Sequence, residues 1–152
     1  MTHGAALDPG SFRDPAGHVY HLDGRVFRTV SARAAADYEY VRRSGFLARA
    51  TARGWFVGAE EIDPRLLADV PAGTPYVVEH PRIPFVSYPY EWPFPALKAA
   101  ALLHLDLHLD ALAHDVTLVD ASAYNLQFEG PRPVFIDLLS FRRYRPGGAG
   151  GS

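Results

Sequence analysis

Three polar side chains near the end of the chain have the types and spacing for phosphate chemistry. Asp120 stands five residues before Asn125, and Asn125 twelve before Asp137, in "DASAYNLQFEGPRPVFID". In phosphoryl transfer a protein mostly positions groups and neutralises charge. One carboxylate takes the nucleophile's proton, while an amide oxygen and a second carboxylate hold Mg²⁺, a hard cation that prefers oxygen ligands. The runs "LQF" and "PVFID", joined by "EGPR", read as a short hairpin. A hairpin returns the chain to where it left, so it would bring Asn125 and Asp137 together. On this reading Asp120 is the base, Asn125 and Asp137 are the metal and nucleotide ligands, and Mg²⁺ with ATP are the cofactors. A plainer reading has Asp120 capping a turn, Asn125 in a left-handed position and Asp137 ending a strand, all common roles for these residues. Both readings stay open at this point.

Other polar groups carry less. His104 and His108 are spaced i, i+4, as a metal pair would be, but no third ligand accompanies them and Leu105 stands where a zinc peptidase has Glu. They are expected to be packed or hydrogen-bonded histidines. Asp106 and Asp110 are expected to form a polar or capping face of the same helix. There is no cysteine, which removes thiolate nucleophiles, disulfides and Cys-ligated zinc. Ser87 and Ser122 lack the G-x-S-x-G context of a hydrolase nucleophile. The terminal "GGAGG" follows no strand and opens no helix, so it is not a dinucleotide loop.

The elements that must position these residues can be read in order. Residues 1–16 form a loose leader, 17–145 one domain, and 146–152 a Gly/Ser tail of linker composition. "GHVYHLDGRVFRTV" alternates and is broken by Asp23-Gly24, a strong hairpin signal. Helix is expected from Ser31, an N-cap candidate, to about Trp55, with Gly45 interrupting it. The segment from Thr74 to Phe94 is rich in proline and admits only short strands, Tyr76 to Glu79 and Phe85 to Ser87. Its "YPYEWPF" is expected to be a rigid link that packs its rings into the core. A helix then starts at Pro95. Leu102, Leu105, Leu109 and Leu112 share one face, and Leu103 and Leu107 point away from it. A helix apolar on two sides is expected to be buried on both. With nothing following the second hairpin, the Leu103/Leu107 side is expected to be left exposed and to make the chain associate.

Composition sets outer bounds. The length, 152 residues, suits a single domain, and 48% hydrophobic residues suffice for a core. A net charge of −2 offers nothing for nucleic-acid binding by phosphate neutralisation. Of fifteen basic residues only Lys98 is lysine. The opening hairpin therefore offers Arg25 and Arg28 as cations, and Arg28 is the candidate phosphate contact. No apolar run approaches the ~20 residues of a membrane span, and no secretory signal opens the chain. Cytoplasmic is the default expectation.

The D-x-x-x-x-N spacing, the hairpin ending in Asp137, the helix before the loop and the Pro-rich segment before that resemble the layout of protein kinases and aminoglycoside phosphotransferases. Leu118 replaces the His that braces the kinase loop, Leu138-Leu139 replaces Phe-Gly after the metal-binding Asp, and no lysine or glycine-rich cover lies in the first hairpin. Arginine is not equivalent to the compact ammonium there. These departures favour phosphate binding over efficient phosphotransfer.

Over residues 12–145 the chain also resembles the N-terminal segment of bacterial class I SAM-dependent methyltransferases of the nodulation-protein type. The resemblance lies in "FRDPAGHVY", "DGRVFR", "PFVSYPYEWPF", "LKAAALLHLDL", "DASAYNLQF" and "PVFIDLLSF". It implies a domain attached to methyl transfer rather than the one that performs it, with SAM bound only by a methyltransferase domain or subunit outside this chain. The combined expectation is an α+β, truncated protein-kinase-like fold made of an N-terminal hairpin, a Pro-rich hinge, a buried helix and a catalytic-loop hairpin. It would bind a nucleotide or small-molecule substrate for a methyltransferase partner. The alternatives are a Mg²⁺-dependent small-molecule phosphotransferase and a structural or interaction domain.

Overall fold

A computed structural model describes residues 6–7, 17–83, 87–119 and 125–145. Asp120, Ser122, the Gly/Ser tail and most of the strand expected at Phe85 to Ser87 lie outside these residues. The chain is mixed α+β and divides into two compact units, residues 1–38 with 59–82, and residues 39–58 with 83–152.

The first unit is built on an antiparallel sheet. Its strands are β1 (Ala6–Leu7), β2 (Val19–Leu22), β3 (Arg25–Val30), β4 (Glu60–Ile62) and β5 (Tyr76–His80), in the order β1-β2-β3-β5-β4. Asp23 and Gly24 both take positive φ, 50° and 76°, as a two-residue hairpin turn requires. Pairing Tyr20 with Phe27 puts both on the face that also buries Val77 and Leu67, with Leu22, Ile62 and Val70 at its edge. Two strands of this unit escape the sequence reading. Ala6–Leu7, within the stretch read as leader, pairs with His21 and Tyr20, and the polar Glu60–Ile62 borders β5. Both are edge strands, whose short or charged sequences carry little apolar alternation.

Helix α1 (Ala32–Arg43) spans the division between the units in sequence. Its basic Arg42 and Arg43 stand at the C-terminal end, where the helix dipole favours them. Gly45, at φ 85°, ends it as expected and leads into α2 (Phe46–Ala52). The Ser44 hydroxyl fastens this corner by donating to the Val41 carbonyl (2.6 Å) and accepting from the Phe46 amide (3.1 Å).

The second unit packs α3 (Phe94–Ala113) on β6 (Val116–Leu118) and on the hairpin of β7 (Leu126–Glu129) and β8 (Arg132–Phe135). β9 (Phe141–Arg143) pairs with β6. The core is aromatic at its centre. Phe141 meets Phe46 at 4.9 Å, Phe135 at 5.1 Å and Phe56 at 5.6 Å between ring centroids. The Phe135 amide donates to the Trp55 carbonyl and the Val57 amide to the Phe135 carbonyl, which ties the segment after α2 to the hairpin.

α3 corrects the expectation about its faces. Leu103, Leu107, Ala100 and Ala111 are buried, Leu107 completely, whereas Leu102, Leu105 and Leu109 are 52%, 56% and 58% exposed. The helix is buried on one side, not both, and the exposed side is opposite to the one anticipated. β6 and β8 supply the cover that the Leu103/Leu107 side needs. The aromatic link is corrected in part. Trp92 is buried edge-on to Phe128 at 4.8 Å, but Tyr88, Tyr90 and Phe94 face solvent, the two tyrosines stacked. No helix among the described residues is long and apolar enough to cross a membrane.

Candidate functional site

The β7–β8 hairpin brings two of the four expected residues together. Its register, Leu126 opposite Phe135, places Asn125 and Asp137 at its open end, and the Ile136 amide donates to the Asn125 carbonyl at 2.9 Å. A third side chain joins them. The Ser140 hydroxyl, in a short 3₁₀ turn (Leu138–Ser140), donates to Asp137 Oδ2 at 2.6 Å and accepts from Asn125 Nδ2 at 3.4 Å. Ser140 is 2% exposed, while Asn125 and Asp137 are half-buried.

This bridge has a chemical consequence. Asn125 uses its Nδ2 in this bridge, so its acceptor oxygen, Oδ1, takes no part in it. The cluster therefore combines an amide oxygen with the Asp137 carboxylate, both hard donors. Mg²⁺ commonly takes one or two protein oxygens and completes its shell with water and phosphate. An amide oxygen and a carboxylate are donor types of that kind. No group of three or more His, Cys, Asp or Glu side chains is placed to hold a metal among the described residues.

Asp120, the expected base, is outside the described residues, although its neighbour Val119 donates its amide to the Ser140 carbonyl at 3.0 Å. Arg28 lies in mid-β3 of the first unit, across from Val19 and Val78. His104 is a packed histidine as expected, its ring perpendicular to Phe135 at 5.7 Å. Asp110 accepts from Arg49 Nε at 2.8 Å and so braces α2 against α3.

The sequence reading missed Ser140, Gln127 and the part Ser87 plays. Gln127 is buried, and its amide pairs with the Ser87 backbone in both directions. Its Oε1 accepts from the Ser87 amide at 2.9 Å and its Nε2 donates to the Ser87 carbonyl at 3.1 Å. The Ser87 hydroxyl in turn accepts from the Trp92 indole at 2.9 Å. A glutamine between two apolar residues of a short strand was the available signal, because a buried amide needs partners.

Fold and site together define a mixed α+β chain in two units, with an amide–hydroxyl–carboxylate bridge at the mouth of a hairpin. No family model matches the chain. It is similar to nodulation protein NoeA of Rhizobium meliloti (strain 1021), with 44% identity over 138 residues. That match takes in 91% of this chain but 29% of the relative, so the chain spans under a third of the relative's length.

Proposed function

We propose that the chain is a kinase-like binding module of a larger methyl-transferring protein. It holds a nucleotide or small-molecule substrate at the β7–β8 hairpin and presents it to a SAM-dependent domain or subunit. The observation that carries this reading is the match to NoeA, which is nearly complete for this chain and yet covers 29% of the relative. The resemblance to nodulation-type methyltransferases supplies the chemistry of the larger partner. The bridge at Asn125, Ser140 and Asp137 supports oxygen ligation of Mg²⁺ and, through it, of a phosphate. SAM would be bound by the partner alone.

A second reading is favoured by the same bridge. Asn125 and Asp137 each satisfy a hydrogen bond of Ser140, so the cluster can serve as a brace that closes the hairpin without binding anything.

The melting temperature with and without millimolar Mg²⁺-ATP separates the two. A ligand bound only by the folded state at 100 times its Kd stabilises by about 2.7 kcal/mol, which moves the melt of a domain this size by several degrees. The binding reading expects a shift that requires Mg²⁺ and vanishes in Asp137→Ala. The same melt with and without ligand, from a folded protein, sinks the nucleotide reading and leaves the brace. Transfer of phosphate to a hydroxyl substrate would instead establish a phosphotransferase.

A further inference from the structure

The outward face of α3 is a second feature that the hairpin does not use. Leu102, Leu105, Leu109 and Leu112 are 52%, 56%, 58% and 39% exposed and recur at intervals of three, four and three residues. That is the a/d spacing of a helix seam. The buried residues Ala100, Leu103 and Leu107 occupy the opposite side of the same helix. Beside the seam runs a groove of about 460 Å³, lined by Trp92, Leu97, Ala101, Leu105 and His108 among others, wide enough for a bulky apolar side chain. Exposed Asp106 flanks the seam on its other side. A row of large apolar side chains with a groove alongside marks an interaction surface.

Area and charge narrow the occupant. The four leucines alone offer roughly 350 Å² per copy, so a pair of copies meeting only through them would bury about 700 Å², well under the ~1,200 Å² of stable free complexes. In an antiparallel seam, flanking positions of the same kind face each other, so self-pairing would set the Asp106 carboxylates of two copies together, which is repulsive. A domain on the same polypeptide escapes the area requirement, because its effective concentration reaches millimolar. In NoeA most of the polypeptide lies outside the matched segment.

We propose that the outward face of α3 seats a further domain of the kind that fills the rest of NoeA. That domain docks through an amphipathic helix whose apolar seam covers Leu102 to Leu112 and whose basic flank meets Asp106. The inference rests on the reading that this chain works beside another domain, and it is independent of phosphate chemistry at the hairpin.

The chain contains no cysteine, so Leu109→Cys introduces a single reporter thiol. Its rate of maleimide labelling is measured in the isolated chain over a range of concentrations. It is measured again in a chimera where this chain replaces the matching segment of NoeA, the labelled peptide being located by mass. Ala48→Cys, at an exposed position of α2, is the control. The expected result is labelling at position 109 at least tenfold slower in the chimera, unchanged labelling at position 48, and recovery when Leu105→Glu is added. Equal rates at position 109 in both proteins would overturn the proposal, as would equal slowing at both positions. Slowing in the isolated chain as its concentration rises, relieved by Leu105→Glu, would assign the face to a second copy and also overturn it. A chimera that protects position 109 yet binds no SAM would sink the methyl-transfer reading and leave this one standing.

Discussion

Ser140 is the residue on which the candidate site depends, because one buried hydroxyl serves both Asn125 and Asp137. Ser140→Ala removes a donor from a carboxylate and an acceptor from an amide at once. Losses of this kind cost about 1–3 kcal/mol when partners are left unsatisfied; urea unfolding of Ser140→Ala should show destabilisation in that range. An unchanged midpoint would mean water replaces the hydroxyl at no cost. The pair Arg25–Glu79 gives a pH-dependent counterpart in the first unit. The bidentate contact, at 2.7 and 2.8 Å, holds the Glu79 carboxyl below its ordinary value of 4.5, chiefly through the hydrogen bond from Arg25, with burial opposing. A depressed carboxyl stabilises the fold above its unfolded value and loses that contribution as pH falls through the folded one. Glu79→Gln should therefore be slightly less stable than the parent at neutral pH, by the small margin of a solvent-screened pair. Thermal melts should show that gap closing as pH falls below 4.5 and through the lower folded value. A gap that persists once the carboxyl is protonated in both states would exclude the ion pair as its cause.

At the scale of elements, the two faces of α3 make opposite predictions from the same residue type. Leu107 is fully buried under β6 and β8. Leu107→Ala should cost about 2–5 kcal/mol, as cavity-forming core substitutions do. Leu105 lies on the exposed seam. Leu105→Ala should stay within about 0.5 kcal/mol of the parent in the isolated chain, as surface substitutions usually do. Denaturant midpoints of the two variants measured together test the assignment of faces, and equal losses would contradict it. The corner between α1 and α2 offers a backbone test. At φ 85° Gly45 holds a conformation that L side chains resist, with no atom near enough to obstruct a Cβ. Gly45→Ala should destabilise by about 1 kcal/mol through the backbone alone, read as a lowered midpoint with unchanged slope.

For the whole molecule, chain connectivity matters as much as contacts. The first unit is assembled from two stretches, because β3, which ends at Val30, needs β5, which begins only at Tyr76. A chain cut after Gly58 retains the first hairpin but loses β4, β5 and the Leu67 side of the core. Isolated two-stranded hairpins are marginal in water, so that fragment should lack the far-ultraviolet signature of a sheet. A folded fragment would show that β2 and β3 need no further partners. The second unit presents the outward seam of α3.

Local chemistry alone determined the Asp23-Gly24 hairpin, the break at Gly45, the long helix from about Pro95 and the hairpin that joins Asn125 to Asp137. Turn residues, backbone freedom and apolar period act over a few residues, so they can be read without knowing what lies beyond. Tertiary structure alone decided which face of α3 is buried. Leucines line both faces, so hydrophobicity is the same on each, and only the positions of β6 and β8 choose between them. It also decided that Ser140 bridges Asn125 and Asp137, and that Gln127 pairs with Ser87 forty residues away. Such partners are set by how strands and turns come together in space, which a linear pattern of residue types does not encode.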